Sequence, residues 1–156
     1  MVLAFCAASS QAQDSSCNGK GMYSLAECNR SKEFFEHLQS AVAANQREEV
    51  AGMVNFPLNT SLGGKRVKVR SRQVFLANYD RIFNAGVQCA LKQASKDDVW
   101  GRDTGFTFKD GTVWWDAIIP PGASVSAASD FSLKFPLKII SVNNGQAPGP
   151  GCSATK

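Results

Sequence analysis

Gly105-Phe106-Thr107-Phe108-Lys109-Asp110-Gly111-Thr112-Val113-Trp114-Trp115 carries the strongest fold signal in the chain. Phe106 and Phe108 alternate with Thr107 and Lys109, the period-two pattern of a strand with one buried face. Asp110-Gly111 supplies two residues that accept positive φ, which predicts a tight type I′ turn and a β-hairpin. A two-residue loop sets the register, placing Phe108 opposite Val113 and Phe106 opposite Trp115. The second face of the hairpin then carries Thr107, Trp114, Asp116 and Ile118. The first face belongs to a core. The second is apolar enough to suggest an interface, since contiguous exposed apolar surface usually marks one.

On the C-terminal side, Pro120–Phe131 reads as a small-residue loop. Lys134–Val142 reads as a last strand with Phe135, Leu137 and Ile139 on one face. On the N-terminal side, Ser95–Thr104 reads as a loop. Before it, Ser71 is a good N-cap for a helix on which Phe75, Tyr79, Ile82 and Phe83 share a face, with Gly86 as terminator. Val87, Ala90, Leu91 and Ala94 then continue at helical spacing. Phe56–Leu62 and Lys65–Arg70 form two strands around a Gly63-Gly64 turn, and Pro57 suits only an edge strand or a strand start. Phe34, Phe35, Leu38, Ala41 and Val42 make one stripe of an amphipathic helix from Ser31 to about Asn45. A shorter helix over Gln46–Val54 follows. Ser24-Leu25-Ala26-Glu27 matches a capping box and predicts a separate helical turn carrying Cys28. The order α-α-β-β-α-α-β-β-β implies an α+β fold, with helices on one face of an antiparallel sheet.

The 156 residues suit one domain that buries ~68–70% of its unfolded surface. Hydrophobic content of 44% with 19% charged residues is that of a globular chain. A net charge of +4 permits an anionic partner without requiring one. Met1–Ala12 is uncharged, and small residues at Ser10 and Ala12 suit signal peptidase. It is expected to be the remnant of a secretory signal, without its basic start. Its apolar run is too short to cross a bilayer, so no stable membrane insertion is expected. Once Cys6 is removed, Cys17, Cys28, Cys89 and Cys152 remain, an even set that implies two disulfides in an exported protein. Of three connectivities, Cys17–Cys28 with Cys89–Cys152 is preferred: the first closes a short loop and the second pins the tail. No C-x-x-C occurs, which disfavours redox catalysis and zinc ribbons. The expected organisation is a signal remnant at 1–12, a disulfide-bearing leader at 13–30, a single domain at 31–142 and a Gly/Pro-rich tail at 143–156. The expected compartment is periplasmic or secreted.

Several stretches taken together resemble exported bacterial members of the nuclear transport factor two-like (cystatin-like) superfamily. They are F-F-E-H-L-Q-S-A-V-A-A-N (34–45), R-E-E-V-A-G-M-V (47–54), F-P-L (56–58), S-R-Q-V-F-L-A-N-Y-D-R-I-F (71–83) and G-F-T-F-K-D-G-T-V-W (105–114). The resemblance covers about 32–119, and more loosely the final strand. It implies a cone-shaped fold whose curved antiparallel sheet packs on N-terminal helices and a crossover helix. The superfamily includes pocket enzymes such as ketosteroid isomerases and polyketide cyclases, as well as binding and accessory domains, so fold alone does not assign an activity.

Residues able to carry chemistry are few. His37 is the only histidine, which rules out a multi-histidine metal site, and its spacing puts it on the flank of its helix. Tyr79 is the polar residue on an otherwise apolar face, with its hydroxyl expected toward the mouth of the cone. Phe35, Tyr79, Phe106 and Trp115 are therefore the candidate pocket. Asp80 leaves that face and Asp116 lies opposite the core, so no positioned acid–base pair is found and no catalytic residue is assigned. The pairs Glu48-Glu49 and Asp97-Asp98 read as solvated surface. Lys65, Arg66, Lys68, Arg70 and Arg72 read as a basic ribbon on one strand face, suited to an acidic surface or to protecting an exposed strand. Nucleic acid is not expected, since no aromatic residues interleave with these cations. No cofactor or metal is expected. The sequence favours an exported, non-enzymatic binding or accessory domain that contacts a protein partner or its own copy (a homodimer) through Trp114, Asp116 and Ile118. The alternative is a small-molecule enzyme or carrier with Tyr79 in its pocket.

Overall fold

The hydroxyl of Ser24 accepts from the Glu27 amide at 3.2 Å, and the Glu27 carboxylate accepts from the Ser24 amide at 2.7 Å. This reciprocal cap satisfies two orphan donors and starts helix α1 at Leu25. The computed structural model describes Cys17 and residues 23–123, 131–146 and 149–152; the expected signal remnant lies outside the described residues. Helix α1 runs unbroken over Leu25–Ala43. The separate turn expected before Ser31 merges into it, because Cys28 and Ser31 continue the buried stripe of Phe35, Leu38 and Val42. Asn45 reverses the chain with φ 54°, and α2 follows at Arg47–Gly52.

Strands β1 (Val54–Leu62) and β2 (Lys65–Val69) are joined by Gly63 and Gly64 with φ of 58° and 76°. The two-residue turn with paired positive φ therefore sits here. The predicted crossover helix breaks into α3 (Arg72–Ala77), α4 (Tyr79–Ile82) and α5 (Ala85–Gln93). Asn78 donates its side-chain amide to Val74 O at 2.9 Å and marks the first break. Asn84, in an extended conformation, accepts from the Val87 amide at 3.1 Å and caps α5. Gly86 consequently lies in the first turn of α5 and terminates nothing.

After a 3₁₀ turn at Lys96–Asp98 comes β3 (Val99–Arg102), in a segment expected to be loop. Its apolar alternation is invisible because the second inward position is Gly101. A Cβ there would lie 2.6 Å from Tyr23 Cε2, so that ring supplies the cover a side chain would have given. Strands β4 (Gly105–Phe108) and β5 (Val113–Ala117) follow, and β6 (Leu137–Val142) comes after a 3₁₀ turn at Phe131–Lys134.

The strands form one curved, unclosed sheet in the order β2-β1-β6-β5-β4-β3. All neighbours are antiparallel except β1 and β6, which run parallel. Phe106 does pair with Trp115. The connecting loop is longer than expected, Lys109–Thr112, with positive φ at Lys109 and Gly111 and none at Asp110. Pro57 lies inside β1, a strand paired on both sides. Its missing N–H is tolerated because pairing with β2 begins at Leu58 and the β6 register shifts between Val54 and Asn59. A second shift, between Trp114 and Trp115, leaves Ile140 as an extra residue in β6 and turns both Ile139 and Val142 inward.

The core lies between α1, the α3–α5 segment and one face of the sheet. Trp115 is fully buried and donates from Nε1 to Ser31 Oγ at 2.8 Å. Phe34, Phe35 and Phe108 surround it at ring-centroid separations of 5.6, 6.3 and 6.5 Å. Both preferred disulfides are present, Cys17–Cys28 and Cys89–Cys152, with Cα separations of 5.7 and 5.6 Å. Among the described residues no helix is long and apolar enough to cross a membrane.

Ser31→Ala leaves the indole N–H buried without an acceptor. It should lower stability by about 1–3 kcal/mol, read as a lower urea midpoint at unchanged slope. The bridges span 11 and 63 residues. On loop-closure entropy, removing Cys89–Cys152 should cost about 4 kcal/mol and removing Cys17–Cys28 about 3 kcal/mol, a ranking checked by equilibrium unfolding of the paired Cys→Ser variants.

Candidate functional site

Inside the fold, the positions expected to line a pocket fill one another's space. Phe35, Tyr79, Phe106 and Trp115 are all buried. The Phe35 ring lies 5.1 Å from Phe108, Tyr23 covers Phe106 at 4.1 Å, and Tyr79 stacks on Phe83 at 5.4 Å. The Tyr79 hydroxyl is buried and has no hydrogen-bond partner among the described residues. Arg47 sits 4.9 Å over its ring and forms a two-point pair with the exposed Asp80 at 2.8 and 2.9 Å. His37 is exposed on the flank of α1, 2.9 Å from Glu49. Glu48 pairs with Arg72, and Asp97 and Asp98 lie near Lys32 and Lys109.

The opposite face of the sheet has a different character. Alternation sends Leu58, Val69, Phe108, Val113 and Trp115 inward, so their neighbours point out. Lys68 pairs with Asn59, Asn59 with Ser141, and Ser141 with Trp114. Trp100 pairs with Thr107 farther along. Lys68 and Asn59 are exposed, while Ser141, Trp114 and Trp100 are half-buried. Described helices leave this face open.

At one end of it, Trp100 and Trp114 meet edge to face at 5.5 Å, and Thr107 is fully buried between their strands. Arg102 lies 4.6 Å from the Trp114 ring centre and 6.0 Å from that of Trp100, a cation–π arrangement. The indole N–H groups serve the hairpin loop: Trp114 donates to Gly111 O at 3.0 Å and Trp100 to Lys109 O at 2.9 Å. Asp116 and Ile118 continue the outward row, and Asp116 pairs with Lys138 in register. Burial raises the Asp116 carboxyl above the usual carboxylate range, opposed by a hydrogen bond from the Ala117 amide. Val142 does not belong to this face, since the Ile140 bulge reverses its parity.

The basic ribbon divides. Arg66 and Lys68 lie outward opposite Ser61 and Asn59, and Arg70 follows by parity. Lys65 has the parity of the inward Val67 and Val69, and is exposed only because it stands beyond the core. Arg72 belongs to α3 and is paired with Glu48. A strand alternates faces, so five near-consecutive cations could not share one.

At the Arg66 and Lys68 end of the open face lies a groove of about 880 Å³, with Asn59, Ser61, Ser141 and Asn143 among its lining residues. Asn143 and Gln146 also line an adjoining cleft of about 270 Å³, bounded by α5, the Lys109–Thr112 loop and Cys152. The shared wall is held rigidly. Asn144 donates to Ser61 O and Arg81 O at 2.8 and 2.9 Å, accepts from the Ser61 amide at 3.1 Å, and receives Asn84 Nδ2 at 2.9 Å on its carbonyl. Asn143 donates to Gly111 O at 2.6 Å. Sequence reasoning missed Trp100, Arg102, Asn143 and Asn144. Gly101 hides the alternation that would have marked the strand of the first two, and the asparagines carry no periodic signal.

No family model matches the chain, and neither a curated protein nor a solved structure matches it.

Both tyrosines hold their protons strongly. Tyr23, which donates to Arg102 O at 2.6 Å, is pushed up to about 12 by burial and then by Asp116, Glu27 and Asp103. Tyr79 is raised by burial, with Arg47 opposing. A raised folded-state value favours the neutral phenol, so this stability is intact below pH 10.0 and falls as pH rises toward about 12. Near-ultraviolet titration should detect little tyrosinate in the native protein at pH 10 and two half-ionised tyrosines once it is denatured. A native protein that titrates at the ordinary value contradicts the burial of both rings.

Proposed function

We propose that this protein is an exported, non-catalytic binding domain of the nuclear transport factor two-like kind. It engages a protein partner, or a second copy of itself, through the outer face of its sheet. The observation that carries this reading is the placement of Trp114 with Trp100 and Arg102 on the open sheet face, while the interior aromatic positions fill one another. Indole and guanidinium groups are the side chains that most often concentrate binding energy at protein interfaces. Export is supported by the composition of Met1–Ala12 and by two disulfides, which persist in oxidising compartments. Superfamily membership is supported by the element order, two helices, a strand pair, a helical crossover and then the remaining strands.

A ligand pocket around Phe35, Tyr79, Phe106 and Trp115 has one observation in its favour, the unpartnered Tyr79 hydroxyl. A ligand reaching it would have to separate the Tyr79–Phe83 stack.

In light scattering over a range of concentrations, self-association should be weakened by about 30-fold or more in Trp114→Ala, the cost of a central tryptophan contact. If the protein stays monomeric throughout, the surface is assigned to a different protein, and Trp114→Ala should abolish capture of that partner. A monomer whose partner capture is indifferent to Trp114→Ala overturns the proposal.

A further inference from the structure

The six ion pairs among the described residues engage Glu36, Glu48, Glu49, Asp80, Asp97 and Asp98, and none of them reaches β2. Lys65, Arg66, Lys68 and Arg70 form no ion pair among the described residues, and no Asp or Glu lines the groove beside Arg66 and Lys68. A positive potential therefore stands over this concavity without an internal counter-charge.

Protection of an edge strand accounts for lysines and arginines on β2. It does not account for what faces them. Arg66 and Lys68 stand opposite Ser61 and Asn59, and the floor continues through Ser141 and Asn143. These are neutral hydroxyls and amides that both donate and accept hydrogen bonds. The groove's volume of about 880 Å³ falls in the ~300–1,000 Å³ range of ligand sites.

The lining also discriminates among anions. Among the described residues it contains no aromatic side chain, so these offer bases no stacking platform. The branched apolar side chains among its described lining residues, Val67 and Val142, belong to inward positions and offer a peptide no apolar anchor. A ligand dense in hydroxyls, with carboxylates spaced along it, matches both the cations and the neutral floor. We infer that this groove binds an acidic oligosaccharide of the polyuronate class. Arg66 and Lys68 meet its carboxylates, while Asn59, Ser61, Ser141 and Asn143 meet its ring hydroxyls. The site lies across β2, β1 and β6; Trp114 pairs with its Ser141 across the ladder but does not line it, and the site does not depend on the protein-binding role proposed for that tryptophan.

Calorimetric titration with hexagalacturonate at low salt tests this. The wild-type protein should bind, and Arg66→Ser/Lys68→Ser should bind at least ~10-fold more weakly, as charge-assisted hydrogen bonds are lost. Lys92→Ser/Lys134→Ser, which removes the same charge from exposed positions outside the groove, should bind like wild type. Uronate binding by a protein that neither self-associates nor captures a protein partner leaves this result standing, so the two proposals fail separately. A neutral hexasaccharide should not bind. The inference is overturned by absence of uronate binding, by an equal loss in the two double variants, or by equally tight binding of inorganic polyphosphate or single-stranded DNA.

Discussion

The hydrogen bond from Trp115 Nε1 to Ser31 Oγ joins the largest buried side chain of the sheet to the first helix, with both residues fully shielded from bulk solvent. An indole N–H left unpaired there would cost about 1–3 kcal/mol, a large share of a small domain's net stability. The contact therefore determines which stretch of α1 lies over β5 and places Phe34 and Phe35 around the indole. With Trp115 committed inward, strand alternation commits Trp114 outward. One buried donor thus divides the molecule into a face that builds the core and a face left open to other molecules.

Charge plays a smaller part in holding the fold. The surface ion pairs join exposed or half-exposed groups, each worth ~0–1 kcal/mol. Asn144 alone makes four hydrogen bonds that connect β1, α4 and α5. At about 0.5–1.5 kcal/mol for each hydrogen bond, this one asparagine outweighs several ion pairs. It also fixes the wall shared by the groove and its adjoining cleft. The cations on β2 join no ion pair among the described residues, whereas Asn143 and Asn144 beside the groove are tied to the backbone.

Local periodicity made much of this visible beforehand. The α1 stripe, the Phe106–Trp115 register and the pairing of the four cysteines depend on spacing along the chain. The features that escaped depend on groups brought together from afar. β3, in a segment expected to be loop, has a glycine at an inward position because Tyr23 occupies that space. The crossover breaks at Asn78 and Asn84, whose side chains compete for backbone groups that a continuous helix would have used. The Ile140 bulge turns both Ile139 and Val142 inward, and no pattern within β6 announces it. Of the candidate surface, Trp114, Asp116 and Ile118 follow from hairpin parity. Their companions Trp100 and Arg102 come from the unrecognised strand, and the ribbon of cations was divided by the same parity that the hairpin obeys.

The position of β6 has a consequence for how the chain acquires its structure. The sixth strand in chain order lies in the middle of the sheet, parallel to the first and antiparallel to the fifth. Until it arrives, β1–β2 and β3–β4–β5 are separate ribbons, each with a long unpaired flank. Closure has to wait for Val142 to emerge from the ribosome, and the bridge to Cys152 for a few residues more. Before that point the chain presents four unpaired strand flanks where the finished sheet presents two.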